Sequence, residues 1–443
     1  MGVKTRNLGN SEGKDIQWQS PLNADGSTIF NLEAGKGYFI NTTGGEVELK
    51  LPTGSLGDRI AIMDFGGTFD TNCVRINLNG QKLNGSTNPS GVSGSQNYVK
   101  IDTQNARLEL VFSDSDKGWV VTESEAKTSP TTAPFAAFIE ATGGTVTTSG
   151  NFKIHSFTGD GCFIVSNAGN AGGANKVSYV VIAGGGGGAG NQGNADGSSG
   201  AGAGGYREGR APSFDTYTAS PLVAPDGLEV PAATYPITVG GGGTAGAGAA
   251  AGHGGKGSNS VFSTITSTGG GGGQHPTPPY APISKCGGSG AGAAASGNPS
   301  ANQVGAGNTP PVSPPQGNNG GNYQSDGQSA AGGGGGAGAV GGNAPGNTVG
   351  GDGGAGVASC ITASPVQRAG GGAGSAYPAN TGGSGGAGGG GDGGRAPGFP
   401  SPAGEAGTAN TGGGGGGANA NPGNPNPGGA GGKGVVIIRY KFQ

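Results

Sequence analysis

The chain has 443 residues, of which 108 are glycine and 28 proline, against about 7 % and 5 % in average usage. Only 11 % of the residues are charged and the net charge is −3, which excludes the basic footprint of a nucleic-acid or anionic-membrane binder. A disordered chain of this length is expected to carry more charge, so the glycines are read as ordered.

Residues 1–127 read as an ordinary all-β domain. Met1 to Asn7 lack the apolar run of a signal peptide, so a protein working outside a cell is expected to leave by lysis, as a virion component does. Val47, Leu49 and Leu51 alternate with Glu46, Glu48 and Lys50, the period of two of a half-buried strand. Further strands are expected at 38–41, 59–65, 74–78, 98–101, 108–112 and 119–122. Glycine-rich turns such as Thr43-Gly44-Gly45 and Asn79-Gly80 separate them. Short strands at near-regular spacing predict a β-sandwich or jelly-roll-like module. Residues 128–134, with two prolines in a Thr/Ser cluster, read as a linker.

Strands resume at 135–141, 152–157, 162–166 and 177–183. The run Val177-Ser178-Tyr179-Val180-Val181-Ile182-Ala183 passes directly into Gly184. A matching run, Val435-Val436-Ile437-Ile438-Arg439-Tyr440, comes only at the chain end. Both are rich in β-branched residues and too short for a buried helix. They are assigned to one sheet, so residues 135–183 with 435–443 form a β-sheet base and 184–434 a glycine-rich insertion. Within the insertion a strand pair is expected at 235–239 and 260–265.

The glycine runs follow neither a strict Gly-X-Y period nor a sustained Gly-Ala alternation, which disfavours collagen and silk. The ordered alternative is a bundle of polyproline-II-type glycine helices, a polyglycine-II lattice. Such helices have no internal hydrogen bonds, so each backbone N–H and C=O needs a partner on a neighbour. Glycine lets the backbones approach, and Cα–H···O contacts add a smaller gain.

No catalytic constellation emerges. GxGxxG recurs, but no helix follows the strand that would precede a dinucleotide site, and Gly255-Lys256 is followed by Gly257 where a P-loop needs Ser or Thr. Cys73, Cys162, Cys286 and Cys360 lack CxxC spacing, which argues against zinc and against a dense disulfide framework; they are read as isolated buried thiols. Asp352 and Asp392 are read as turn aspartates and His155 as a sheet-face residue. No catalytic, cofactor or metal site is assigned, and the chain is expected not to be an enzyme. No segment approaches the ~20 apolar residues of a membrane-spanning helix. The remaining candidates are aromatics among prolines and glycines: Tyr206, Tyr280, Tyr323, Tyr377 and Phe399. Tyr280 sits with His275 in the proline-rich segment 274–285, where restricted backbone loses little entropy on binding. These six residues are the candidate receptor contacts, with wedging of the glycine bundle as the alternative role for the aromatics.

The sequences VSYVVIAGGGGG (177–188), YPITVGGGG (235–243), GSNSVFSTITSTGGGGG (257–273) and GGKGVVIIRY (431–440) resemble a glycine-rich domain common in bacteriophage tail-fibre and marine-virus proteins. LPTGSLGDRIAIMDFGGTF (51–69), VRINLNGQKLNG (74–85) and LELVFSDSDKGWVV (108–121) resemble a β-module of tail fibres. The resemblance implies a virion tail fibre or adhesin subunit. Residues 1–127 would attach and oligomerise, as a trimer by analogy, against other tail or baseplate proteins. The glycine-rich half would bind a host-surface glycan or outer-membrane protein. A spacer or capsid-decoration protein without a specific ligand is the alternative.

Overall fold

The computed structural model describes residues 16–87, 98–124, 137–170, 173–192, 197–248, 252–275, 285–295, 303–325, 329–377, 381–395, 403–419 and 425–443. The chain divides into two compact units, one of Met1–Ala137 with Asn170–Gly173, the other of Phe138–Gly169 with Ala174–Gln443. The described residues contain strands and no helix, so the protein is all-β. The expected linker, 128–134, lies outside the described residues.

The first unit contains β1 (Gln17–Trp18), β2 (Leu22–Asn23), β3 (Ile29–Asn31), β4 (Lys36–Asn41), β5 (Val47–Lys50), β6 (Arg59–Asp64), β7 (Val74–Asn77), β8 (Tyr98–Ile101), β9 (Arg107–Asp114) and β10 (Gly118–Ser124). The expected strands are present, some a residue or two longer or shorter than the apolar pattern indicates. One sheet runs β1-β4-β6-β9-β10 with β2 also beside β4, and the other β3-β5-β7-β8. Both contribute to one core around Ile40, Leu49, Ile60, Ile76, Leu110 and Trp119. Connectivity corrects the jelly-roll expectation. From β3 to β7 the chain crosses between the sheets at each step, so β3, β5 and β7 pair in parallel, as do β4 and β6. Only β8, β9 and β10 close the sheets antiparallel. The start of the unit is therefore a short parallel coil, whereas a jelly roll is antiparallel throughout.

The second unit opens with β11 (Ile139–Thr142), β12 (Thr145–Ser149), β13 (Phe152–Phe157), β14 (Gly161–Ala168) and β15 (Lys176–Ile182). Then follow β16 (Tyr206–Gly209), β17 (Val223–Ala224), β18 (Leu228–Glu229), β19 (Ala233–Thr238), β20 (Ser260–Phe262) and β21 (Ile265–Ser267). Further along come β22 (Gln324–Ser325), β23 (Ser329–Ala330), β24 (Val357–Ser359), β25 (Val366–Arg368), β26 (Ala376–Tyr377) and β27 (Val435–Lys441). The pairing expected of the two apolar runs is present: β27 lies antiparallel to β15, with Ser178 opposite Arg439 and Ile182 opposite Val435. On its other side β27 pairs with β13. The expected pairing inside the insertion is also present, β19 with β20, although 260–265 turns back at Ser263 into a β20–β21 hairpin.

One face of the β13-β27-β15 sheet packs on the sheet β11-β14-β19-β20-β21 through Phe157, Phe163, Val181, Ile237, Phe262 and Ile438. The other face buries Ile154, Val180, Ile182 and Ile437 against Tyr206, Tyr217, Val357 and Ile361. Burial on both faces explains why β15 and β27 read as continuous apolar runs rather than alternating ones.

Between β15 and β27 the glycine runs form a lattice, and run 184–191 shows its rule. Gly184, Gly187 and Gly190 N–H donate to Ser258, Gly255 and Gly252 C=O; Gly185, Gly188 and Asn191 donate to Gly432, Gly429 and Asn426; Gly186 and Ala189 donate to Gly202 and Ser199. The carbonyls of Gly184 and Gly187 accept from Gly270 and Gly273, those of Gly185 and Gly188 from Gly243 and Gly246, those of Gly186 and Ala189 from Gly415 and Ala418. Six runs thus surround this one, three antiparallel that accept from it and three parallel that donate to it. A partner that changes with each residue and recurs after three is the signature of a helix with three residues per turn. Runs 198–205, 331–336 and 370–375 are each likewise bonded to six neighbouring runs, with other mixtures of direction.

Glycine is required here by contact. A Cβ built on any of Gly184 to Gly188 would lie between 1.9 and 2.1 Å from a carbonyl oxygen of a neighbouring run. Left-handed φ is not the reason: among the described glycines of 184–434 only Gly388, Gly389 and Gly412 have positive φ, all at turns. At the perimeter the rule relaxes. In run 240–248 residues 243 and 246 are buried while 241, 242, 244, 245 and 247 are exposed. Lys256, Asp352 and Glu405 are likewise exposed.

Candidate functional site

Runs alternate in direction, so the lattice has an end near the β13-β27-β15 sheet and an end away from it. At the far end short polar side chains add their own bonds to those of the backbone. Asn191 Nδ2 donates to Ser198 Oγ at 3.2 Å, and the Ser198 N–H donates to Ser375 Oγ at 2.9 Å. Ser375 Oγ donates to the Ala418 carbonyl at 2.6 Å, and Asn419 Nδ2 to that of Ala376 at 2.7 Å. Asn426 Nδ2 reaches the Asn419 carbonyl at 3.3 Å. The Gln274 N–H donates to Ser199 Oγ at 2.8 Å and the His275 N–H to His253 Nδ1 at 3.0 Å. Asn191, Ser198, Ser199, Gln274, Ser375, Asn419 and Asn426 are all buried. Amides and hydroxyls suit this position because they both donate and accept without carrying charge into the interior. From this layer the chain departs into 193–196, 276–284, 378–380 and 420–424, which lie outside the described residues.

The end near the sheet is closed by a buried charged cluster on the elements that frame the lattice. Glu208 on β16 accepts from Tyr206 Oη and Tyr217 Oη, both at 2.9 Å, from the Ser220 N–H at 2.9 Å and from Ser359 Oγ at 2.7 Å. Burial, and then the Glu208 charge, push both tyrosine hydroxyls far above their ordinary value, so they remain donors. Burial also lowers the Arg368 guanidinium. Arg439 on β27 pairs with Asp215 at 3.0 Å, and Asp215 also accepts from Ser178 Oγ on β15 at 3.1 Å. The guanidinium lies over the Phe152 ring, 4.2 Å from its centroid. Glu208, Asp215 and Arg439 are partnered and enclosed, an arrangement that pins chain segments together.

The predicted contact residues scatter. Tyr206 is corrected from an exposed loop residue to a strand residue: it stands in β16, only 1 % exposed, held by Glu208. Its partner, two residues along the same strand, gave no signal in an Arg-Glu-Gly stretch. His275 is fully enclosed in the far-end layer beside His253. Tyr323 and Tyr377 are half-buried at the same end, Tyr377 opposite Ser329 in the β23–β26 pair. Tyr280 and Phe399 lie outside the described residues. Asp352 and Asp392 are corrected from turn residues to cross-links between runs, accepting from the Ser384 N–H and the Gly385 N–H, both at 2.7 Å. The thiols are free, but Cys73 alone is buried; Cys162 is exposed, and Cys286 and Cys360 are half-buried. The serines and asparagines of the far-end layer escaped sequence reasoning. Their only signal is position, immediately before or after a glycine run.

Residues 165–441 match the glycine-rich domain. A comparison with curated proteins gave no match.

Proposed function

The chain belongs to the glycine-rich domain family, and from that premise we propose that it is a non-enzymatic adhesive subunit whose glycine lattice holds a set of surface connections for recognition. The observation that carries this reading is the far-end layer of Asn191, Ser198, Ser375, Asn419 and Asn426. It fixes the ends of several connections beside one another. Loops fixed in this way are where scaffolds place binding residues. The specific form of the proposal is a virion protein, a tail fibre or adhesin subunit. Residues 1–127 would join it to further copies and to tail or baseplate proteins, and the 276–284 connection with Tyr280 would meet a host-surface glycan or outer-membrane protein. The resemblance of 46–121 and of the glycine-rich half to fibre modules supports that form.

The test replaces 276–284 with a glycine-serine segment of equal length and, separately, changes Tyr280→Ala. Thermal melting should stay within a few degrees of the parent, while adsorption to a susceptible host should fall at least several-fold. Unchanged adsorption after every far-end connection has been replaced would leave the spacer reading in its place.

A further inference from the structure

A polyglycine lattice has a degeneracy that a β-sheet lacks. In a sheet, a slip of one residue turns every side chain to the opposite face, so burial sets the register. In a glycine run there is no side chain to misplace, and the hydrogen-bond pattern repeats every three residues. Gly184 and Gly187 donate to Ser258 and Gly255. After a slide by three, Gly184 would meet Gly255 and Gly187 would meet Gly252, with bonds of the same kind. Backbone bonding therefore does not choose between registers.

Besides the anchoring of a run's end in a strand, as of 198–205 at Tyr206 in β16, two independent features inside the lattice do choose. The first is steric. Ala189, Ala201 and Ala203 lie inside the lattice, fully buried. A slide by three would carry Ala189 to the place of Gly186, where a Cβ lies 2.1 Å from the Gly271 oxygen. It would carry Ala201 to the place of Gly204, 2.0 Å from the Ala183 oxygen, or in the other direction Ala203 to the place of Gly200, 2.1 Å from the Gly372 oxygen. Run 198–205 is thus blocked both ways. The second feature is polar. The Ser198 N–H donates to Ser375 Oγ, and Ser375 Oγ in turn donates to the Ala418 carbonyl. Near the sheet, Gln316 Oε1 accepts from the Thr268 N–H and Asn259 Oδ1 from the Gly269 N–H, both at 2.9 Å. Each of these bonds exists at one alignment only.

We infer that the buried alanines and the polar side chains at both ends are register locks, which select one alignment among lattice packings that the glycine backbone alone would treat as equivalent. Alignment is then independent of the length and sequence of the connections. The lock resembles the use of one polar residue to fix the register of a coiled coil.

Hydrogen exchange followed by mass spectrometry on the full chain tests this. The variant Ala201→Gly/Ala203→Gly/Ser375→Ala removes locks of both kinds and adds no bulk. Peptides covering 198–205 and 372–375 should then show two isotopic populations, because changing register requires opening the lattice and is slow. Thr244→Gly, a perimeter change of the same flexibility, should keep a single population. If the triple variant does not fold, Ala201→Gly/Ala203→Gly alone is measured. A folded unlocked variant with one population and uniformly faster exchange would overturn the inference, since the side chains would then contribute ordinary stability and no choice of register.

Discussion

A methyl group added to a glycine run has an effect set by where it points. At Gly186 it would meet the Gly271 carbonyl at 2.1 Å, whereas at Gly241 it would meet nothing within 4 Å. Gly186→Ala should therefore destabilise the second unit by about 3 kcal/mol, the upper range for overpacking. Gly241→Ala should fall within about 0.5 kcal/mol of the parent, as surface substitutions do. Paired denaturant titrations check both; equal effects would mean that the runs are not in contact as described. His155 on β13 offers a second residue-scale prediction. Its Nδ1 lies 2.7 Å from the Gly143 carbonyl and its Nε2 3.2 Å from Tyr440 Oη. Burial lowers its pKa from the ordinary 6.5; the Gly143 carbonyl opposes this and Lys153 adds to it. The folded state thus favours the neutral ring. Its contribution is complete above pH about 6.5 and is lost as pH falls below that toward the folded value. Melting temperature should drop on acidification through this window, and His155→Gln should flatten that slope while lowering stability overall. At this scale the sequence revealed where glycines cluster but not which way a Cβ would face. It placed Tyr206 among loop aromatics because nothing local announces that Glu208 waits beneath it.

Among the elements, β27 carries the most. It fills the centre of its sheet between β13 and β15 and delivers Arg439 to Asp215. Removing residues 435–443 should abolish the cooperative melting of the second unit and leave that of the isolated 1–127 segment as its own transition. If the truncated chain melts like the parent, the sheet does not depend on β27. Arg439→Met leaves Asp215 buried with only Ser178 and should cost about 3–5 kcal/mol, as breaking one half of a buried pair does; adding Asp215→Asn should restore part of that. The β15–β27 pairing was legible because both segments are buried on two faces and so spell out uninterrupted β-branched runs. The parallel coil of β3, β5 and β7 was not, because alternation within Val47–Lys50 reports which residues face the core and is silent on which strand lies alongside or in which direction.

For the molecule as a whole, the lattice was legible in outline from glycine runs punctuated by turn-like segments, together with the requirement that every N–H find a partner. Its order of neighbours was not, since glycine runs are interchangeable on paper and are told apart only by the alanine, serine and asparagine residues that interrupt them. Exchanging the connection at 378–380 for an unrelated one of twice the length should leave the melting temperature unchanged within a few degrees, because loop closure adds only about 0.6 kcal/mol per doubling. A large loss would mean that the connection itself organises the runs.

The hydrogen bonds of run 184–191 leave it toward six neighbours in turn, and this has a mechanical consequence. A β-sheet resists being pulled apart along its ladders but bends readily across them, because its bonds lie in one plane. Bonds that radiate around each run leave no soft direction, so a sideways push on one far-end connection is shared by every run around it. Tension arriving at the tip would spread through the cross-section as shear among many short bonds, which must fail together before any run can be drawn out.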